Sequence, residues 1–129
     1  MNQKEFAYIS ETQKSFNEAV VSVLKAVEKK GWSLFQIYDL KERLAAKGFD
    51  QKQLKIIEIC SAKHANSFLN QNKLISLCMP CKINVIEEKN NVKIVGMNPK
   101  IMLQLFPEVD IKKADEIEKD IKEIIDNAK

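Results

Sequence analysis

Three cysteines and a single histidine carry most of the distinctive chemistry of the chain, and they fall in two close pairs. The pairs are Cys60-x3-His64 and Cys78-x2-Cys81. Two such pairs, separated in sequence, are how a polypeptide surrounds a tetrahedral zinc ion. The same sulfurs suit Cu(I), with Met79 as a thioether alternative. Cys60, His64, Cys78 and Cys81 are therefore the candidate metal ligands. Pro80, inside the second pair, is unusual for a zinc knuckle. The competing reading is plain packing, since free cysteine is among the most buried residue types, and it carries more weight than a metal.

A redox role is the next possibility. A thioredoxin-type Cys-x-x-Cys follows a strand and opens a helix, whose N-terminus lowers the thiol pKa. Here Cys78-Met79-Pro80-Cys81 runs into a strand-like stretch instead. Cys60 is better placed: it closes a strand-like run and precedes a short helix that Ser61 can cap, where free amides favour a thiolate. The same helix end attracts anions or polarised carbonyl groups. Cys60, Ser61, His64, Pro80 and Cys81 are accordingly expected to line the best pocket or the heart of a dimer interface. No catalytic set emerges. Glu58 is expected at a sheet edge, Asp39 reads as a helix cap, and His64 reads as solvated. With Gly31, Gly48 and Gly96 as the only glycines, no phosphate-cradling loop exists.

The elements that position these residues follow from periodicity. Leu54 to Cys60 is an apolar run suited to a central strand. Ser61 starts a brief helix carrying Ala65, Phe68 and Leu69, broken at Asn70-Gln71-Asn72. Cys81–Glu87 and Val92–Met97 flank Glu88-Lys89-Asn90-Asn91, where asparagine tolerates positive φ; this is a hairpin. Ahead of these, Phe6 to Ile9 is a short strand. Ser10-Glu11-Thr12-Gln13 reads as a capping box, opening a helix with Phe16, Val20, Val23, Leu24 and Val27 on one face and Gly31 as its left-handed stop. Trp32 to Tyr38 is a strand. Asp39 and Glu42 open a helix that Gly48 ends. Asn98-Pro99 opens another short helix. Asp110 to Ala128 is a long one, striped by Ala114, Ile117, Ile121, Ile124 and Ile125, with Asp115–Lys119 and Glu118–Lys122 spaced to pair.

Size and composition agree with a single domain over residues 1–129. Apolar residues make up 45% of the chain and charged residues 30%, enough to fill and coat one core. The net charge of +3 is spread among interleaved lysines and carboxylates, so no basic stripe for nucleic acid is present. No apolar run approaches the ~20 residues of a membrane span, and Met1-Asn2-Gln3-Lys4-Glu5 has no apolar segment of a secretion signal. A cytoplasmic location is expected, with no nucleic-acid or membrane partner. An odd cysteine count excludes a pure disulfide framework. The mixture of elements lacks a βαβ rhythm. It predicts an α+β two-layer sandwich, a curved, mainly antiparallel sheet with helices on one face.

The pattern Lys30-Gly31-Trp32, Asp39, Ile56-Ile57-Glu58-Ile59-Cys60-Ser61-Ala62-Lys63-His64-Ala65, Met79-Pro80-Cys81-Lys82-Ile83 and Met97-Asn98-Pro99 resembles the family called domain of unknown function 302. The resemblance spans nearly the whole chain, from about Phe6 to the last helix. It implies a small two-layer α+β domain and a homodimer, and passes on no reaction or cofactor. Gly31, Asp39, Cys60, Ala65, Pro80, Cys81 and Pro99 match its recurrent positions. Ser61-Ala62 stands where the family usually has Asn-Pro, and Cys78 and His64 match no recurrent position. The expected function is a homodimeric domain that binds a small ligand or an interaction partner. The alternative is a thiol-dependent redox or soft-metal-binding protein using the two cysteine motifs.

Overall fold

The computed structural model describes residues 1–129. In chain order the elements are α1 (Gln3–Phe6), β1 (Ala7–Thr12), α2 (Phe16–Lys29), β2 (Ser33–Asp39), α3 (Leu40–Ala45), β3 (Leu54–Cys60) and α4 (Ala62–Gln71). A 3-10 segment (Lys73–Cys78) leads on to β4 (Cys81–Glu87), β5 (Val92–Met97), α5 (Pro99–Leu103) and α6 (Ile111–Ala128). The five strands form one antiparallel sheet in the order β1-β5-β4-β3-β2. This is the α+β architecture that the residue pattern predicts. No helix is long and apolar enough to cross a membrane.

Strand alternation divides the sheet into two faces. Ile57 and Ile59 of β3, Ile83 and Val85 of β4 and Ile94 of β5 are fully buried and share one face by register. Against them pack the apolar stripes of α2 (Ala19, Val23, Val27) and α6 (Ile117, Ile121, Ile124, Ile125). Burying each large aliphatic side chain contributes about 1.5–3 kcal/mol, so this layer is the main source of stability. At Gly96 of β5, α6 comes very close. A Cβ there would lie 2.9 Å from Ile121 Cγ2 and 3.0 Å from Ile125 Cδ1. The opposite face has no helix layer and is half-exposed, carrying Ile9, Val95, Ile56 and Asn84 beside the charged pairs Glu11–Lys93 and Glu58–Lys82.

Local signals account for most element ends. Asp39 accepts from the Glu42 amide at 3.0 Å, Asn98 from Lys100 at 3.0 Å and Asp110 from Lys112 at 2.9 Å. Gly31 and Gly48 adopt φ of 83° and 89°, the left-handed stops expected of them.

Four local expectations need correcting. Ser10 and Thr12 are buried strand residues, because β1 continues to Thr12 to pair with β5. The capping box of α2 is Ser15 with Glu18: the Ser15 hydroxyl accepts from the Glu18 amide at 3.2 Å and donates to its carboxylate at 2.9 Å. The Glu88–Asn91 turn closes through Glu88 N–H to the Asn91 carbonyl at 2.9 Å, with no non-glycine residue at positive φ. Glu58 is not at an edge, since β3 is flanked by β2 and β4. Of the two pairs predicted on α6, Glu118–Lys122 forms, whereas Asp115 is taken by Lys100.

Candidate functional site

Antiparallel order brings the start of β1, the end of β5, the start of β4, the end of β3 and the start of β2 to one end of the sheet. There, α4, the 3-10 segment and α5 stand around a cavity of about 450 Å³. Seventeen of its 24 lining residues are hydrophobic, so it is an apolar cleft with a few polar groups. That is the general make-up of a small-molecule site. Cys60, Ser61, His64, Cys78, Pro80 and Cys81 all line it. The two blocks, about 20 residues apart in sequence, meet because β3 and β4 are neighbours in register, with Ile59 opposite Cys81. Met79 is extended and precedes a cis peptide to Pro80. The cavity is open to solvent, and Leu77 at its margin is 81% exposed.

The polar groups have distinct surroundings. His64 lies with its ring centroid 6.4 Å from that of Trp32, and its Nε2 is 3.9 Å from Asp120 Oδ2. Trp32 donates to the same oxygen at 3.1 Å, and Lys30 approaches Oδ1 at 3.5 Å. His64 is thus half-buried and held against α6, not solvated. Ser61 stands at the N-cap of α4 but its side chain makes no capping hydrogen bond. Asn84 also lines the cavity, and its Oδ1 is buried with no hydrogen-bond partner. Lys82 is the remaining charged lining residue. No aspartate or glutamate lines the cavity.

Burial works against thiolate formation at all three cysteines. Burial, aided by the neighbouring Cys60, pushes Cys81 up to about 12. Burial also raises Cys60 and Cys78 above the ordinary thiol value. For Cys60 this direction is opposite to the lowering expected at the end of α4, and its cause is loss of hydration on burial. All three cysteines are free. The four-ligand set Cys60, His64, Cys78 and Cys81 is not gathered. No three His, Cys, Asp or Glu side chains anywhere in the chain group closely enough to hold a metal ion. His64 is drawn toward α6, and Cys78 belongs to the 3-10 segment, so the spacing that suggests a tetrahedron does not become one.

Comparison with known proteins agrees with this fold. The model of the family described as "Domain of unknown function DUF302" matches residues 8–128. The chain belongs to the DUF302 family. The crystal structure of an uncharacterised conserved DUF302 protein from Bacillus stearothermophilus is similar over 96% of this chain and 98% of that one. The identity is 25% and the TM-score 0.89. A comparison with curated proteins finds no match. Of the residues on which the sequence resemblance rests, Cys60, Ala65, Pro80, Cys81 and Pro99 all line the cavity, whereas Gly31 and Asp39 serve a turn and a cap.

Sequence reasoning passed over Trp32, Lys82, Asn84, Met102 and Leu103, which also line the site. A signal for Asn84 was present: asparagine is disfavoured inside strands, and it sits mid-strand between Ile83 and Val85. Met102 and Leu103 offered none, because their part in the cavity depends on how α5 folds back toward the 3-10 segment.

Proposed function

We propose that this domain binds a small, largely apolar ligand in the cavity at the end of its sheet. One observation carries the reading: both motif blocks of the chain converge on a single open apolar cavity of about 450 Å³. Its volume and lining fall within the range of small-molecule sites. Burial that opposes thiolate formation weighs against thiol chemistry as the primary role. A neutral fluorescent probe such as N-phenyl-1-naphthylamine tests the reading. It should brighten on binding with 1:1 stoichiometry and shift amide resonances of α4, the 3-10 segment and α5. Ala65→Phe, which fills the cavity, should abolish the effect while leaving the circular dichroism unchanged. Absence of saturable binding would count against the proposal.

The same reading includes a homodimer. Its support is the sheet face without a helix layer. There Glu11–Lys93 lies toward one edge and Glu58–Lys82 nearer the other, so two copies related by a two-fold axis can meet with opposite charges facing. Light scattering at high micromolar concentration should give twice the chain mass. A strictly monomeric species would remove this part of the proposal.

A further inference from the structure

Sulfur is distributed unevenly in this fold. The sequence has three cysteines and four methionines. All three cysteines, with Met79, Met97 and Met102, line the cavity. The hydrophobic core holds 21 buried residues, and neither a cysteine nor a methionine is among them. That reverses ordinary usage, since free cysteine is among the most buried residue types and methionine is a common filler of core gaps. None of the six is buried, so each keeps accessible surface. Isoleucine, leucine and valine are far commoner in the chain. They give the lining no more side chains: Ile59, Ile75, Leu77, Val95, Leu103 and Ile117.

The six sulfurs belong to different elements. Cys60 ends β3, Cys78 ends the 3-10 segment and Met79 follows it; Cys81 opens β4, Met97 ends β5 and Met102 lies in α5. An occupant therefore meets sulfur from several sides. A metal ion does not account for the arrangement, because no three His, Cys, Asp or Glu side chains group closely enough to hold one. What a sulfur wall offers beyond a branched hydrocarbon wall is polarisability. Sulfur makes favourable contacts with aromatic rings, often at the ring edge, that saturated carbon does not reproduce. A flat ring system presents such an edge all round.

We infer that the occupant is a flat aromatic molecule, its ring edges held by the cysteine and methionine sulfurs. This rests on the ligand-binding reading above and narrows it to one chemical class.

The test is displacement of the neutral probe, at neutral pH, by 1-naphthalenemethanol and by its fully saturated decahydro counterpart. The two share a carbon skeleton and an ordinary alcohol group, and the saturated one is the more hydrophobic. The aromatic alcohol should nevertheless compete at least about tenfold better, as expected for two or more sulfur–ring contacts. The double substitution Met79→Leu with Met102→Leu nearly conserves volume. It should lower that ratio at least about threefold and leave the affinity of the saturated alcohol within about twofold. Equal or better displacement by the saturated alcohol from the unaltered protein would overturn the inference and leave the ligand-binding reading intact. So would a ratio that survives the double substitution in a variant of unchanged circular dichroism. The comparison in the unaltered protein stands by itself if the variant does not fold. Failure of the probe to bind the unaltered protein would overturn both readings.

Discussion

Trp32 donates its indole N–H to Asp120 Oδ2 at 3.1 Å, tying the entry of β2 to the middle of α6 beside the cavity. Asp120 also meets Lys30 at 3.5 Å and His64 at 3.9 Å, so one carboxylate organises an indole, an ammonium and an imidazole. Trp32 is only 7% exposed. Replacing it with phenylalanine removes a hydrogen bond to a charged group and leaves unfilled volume. The expected cost is about 2–4 kcal/mol, read as a lower urea midpoint at unchanged m-value. A change within ~0.5 kcal/mol, the range of ordinary surface substitutions, would show that the contact contributes nothing.

Gly96 sets how closely α6 approaches the sheet. In Gly96→Ala the new methyl must displace Ile121 and Ile125, from which it would be only 2.9 and 3.0 Å away. Both are buried in the core, so room must come from shifting α6. Overpacking of this kind costs about 1–3 kcal/mol. Gly48→Ala is a useful contrast. Nothing lies within 4 Å of its Cβ position, but φ is +89°, so its cost is backbone strain alone, about 1–2 kcal/mol. Thermal melts of the two variants should rank Gly96→Ala as the more damaging.

How much of this was legible in the chain depended on whether the signal was local. Leu54–Cys60, Cys81–Glu87 and Val92–Met97 declare themselves as strands because apolar β-branched residues cluster and turn residues bound them. Asp39, Asn98 and Asp110 declare helix starts because a cap acts on amides two or three residues away. Ser10 misled, because Ser10-Glu11-Thr12-Gln13 has the local form of a capping box while tertiary pairing with β5 kept those residues extended. The meeting of Cys60 with Cys81 was open to inference once both were placed on strands of one sheet. The partnership of His64 with Asp120, 56 residues further along the chain, was not. It depends on the packing of α6, which no short pattern encodes.

Helix starts offer a paired test. Ser15 both accepts from the Glu18 amide and donates to its carboxylate, so Ser15→Ala should cost about 1 kcal/mol. Ser61 occupies the same position on α4 but makes no capping bond. Ser61→Ala should therefore stay within about 0.5 kcal/mol of the unaltered protein. Equal losses in chemical denaturation would mean that Ser61 caps α4 in solution.

The thiols predict how stability depends on pH. Cys81 is raised from an ordinary 9.0 to about 12, first by burial and then by the neighbouring Cys60. Cys60 and Cys78 move the same way through burial. A group whose pKa is higher in the folded chain than in the unfolded one holds its proton more tightly when folded. Its contribution is fully present below pH 9 and is lost as pH climbs toward 12, by up to about 1.4 kcal/mol per unit for one group. Lys30, Lys93 and Lys100 are raised by their carboxylate partners. They add a loss of the same sign, but only above about 10.5. Tyr8 and Tyr38, raised by the neighbouring Asp126 and Glu58 carboxylates, begin to add to the loss as pH nears 10, so the decline that starts near pH 9 belongs first to the cysteines. Stability measured by urea unfolding should fall between pH 9 and 10, and Cys81→Ala should make the decline shallower. Alkylation gives a second readout. With iodoacetamide at pH 8, native Cys81 should react at least about tenfold more slowly than the same residue in the denatured chain, since the thiolate is the reacting species. Rapid labelling of native Cys81 at neutral pH, or a slope between pH 9 and 10 that Cys81→Ala leaves unchanged, would contradict a buried, protonated thiol and reopen the case for redox chemistry at this site.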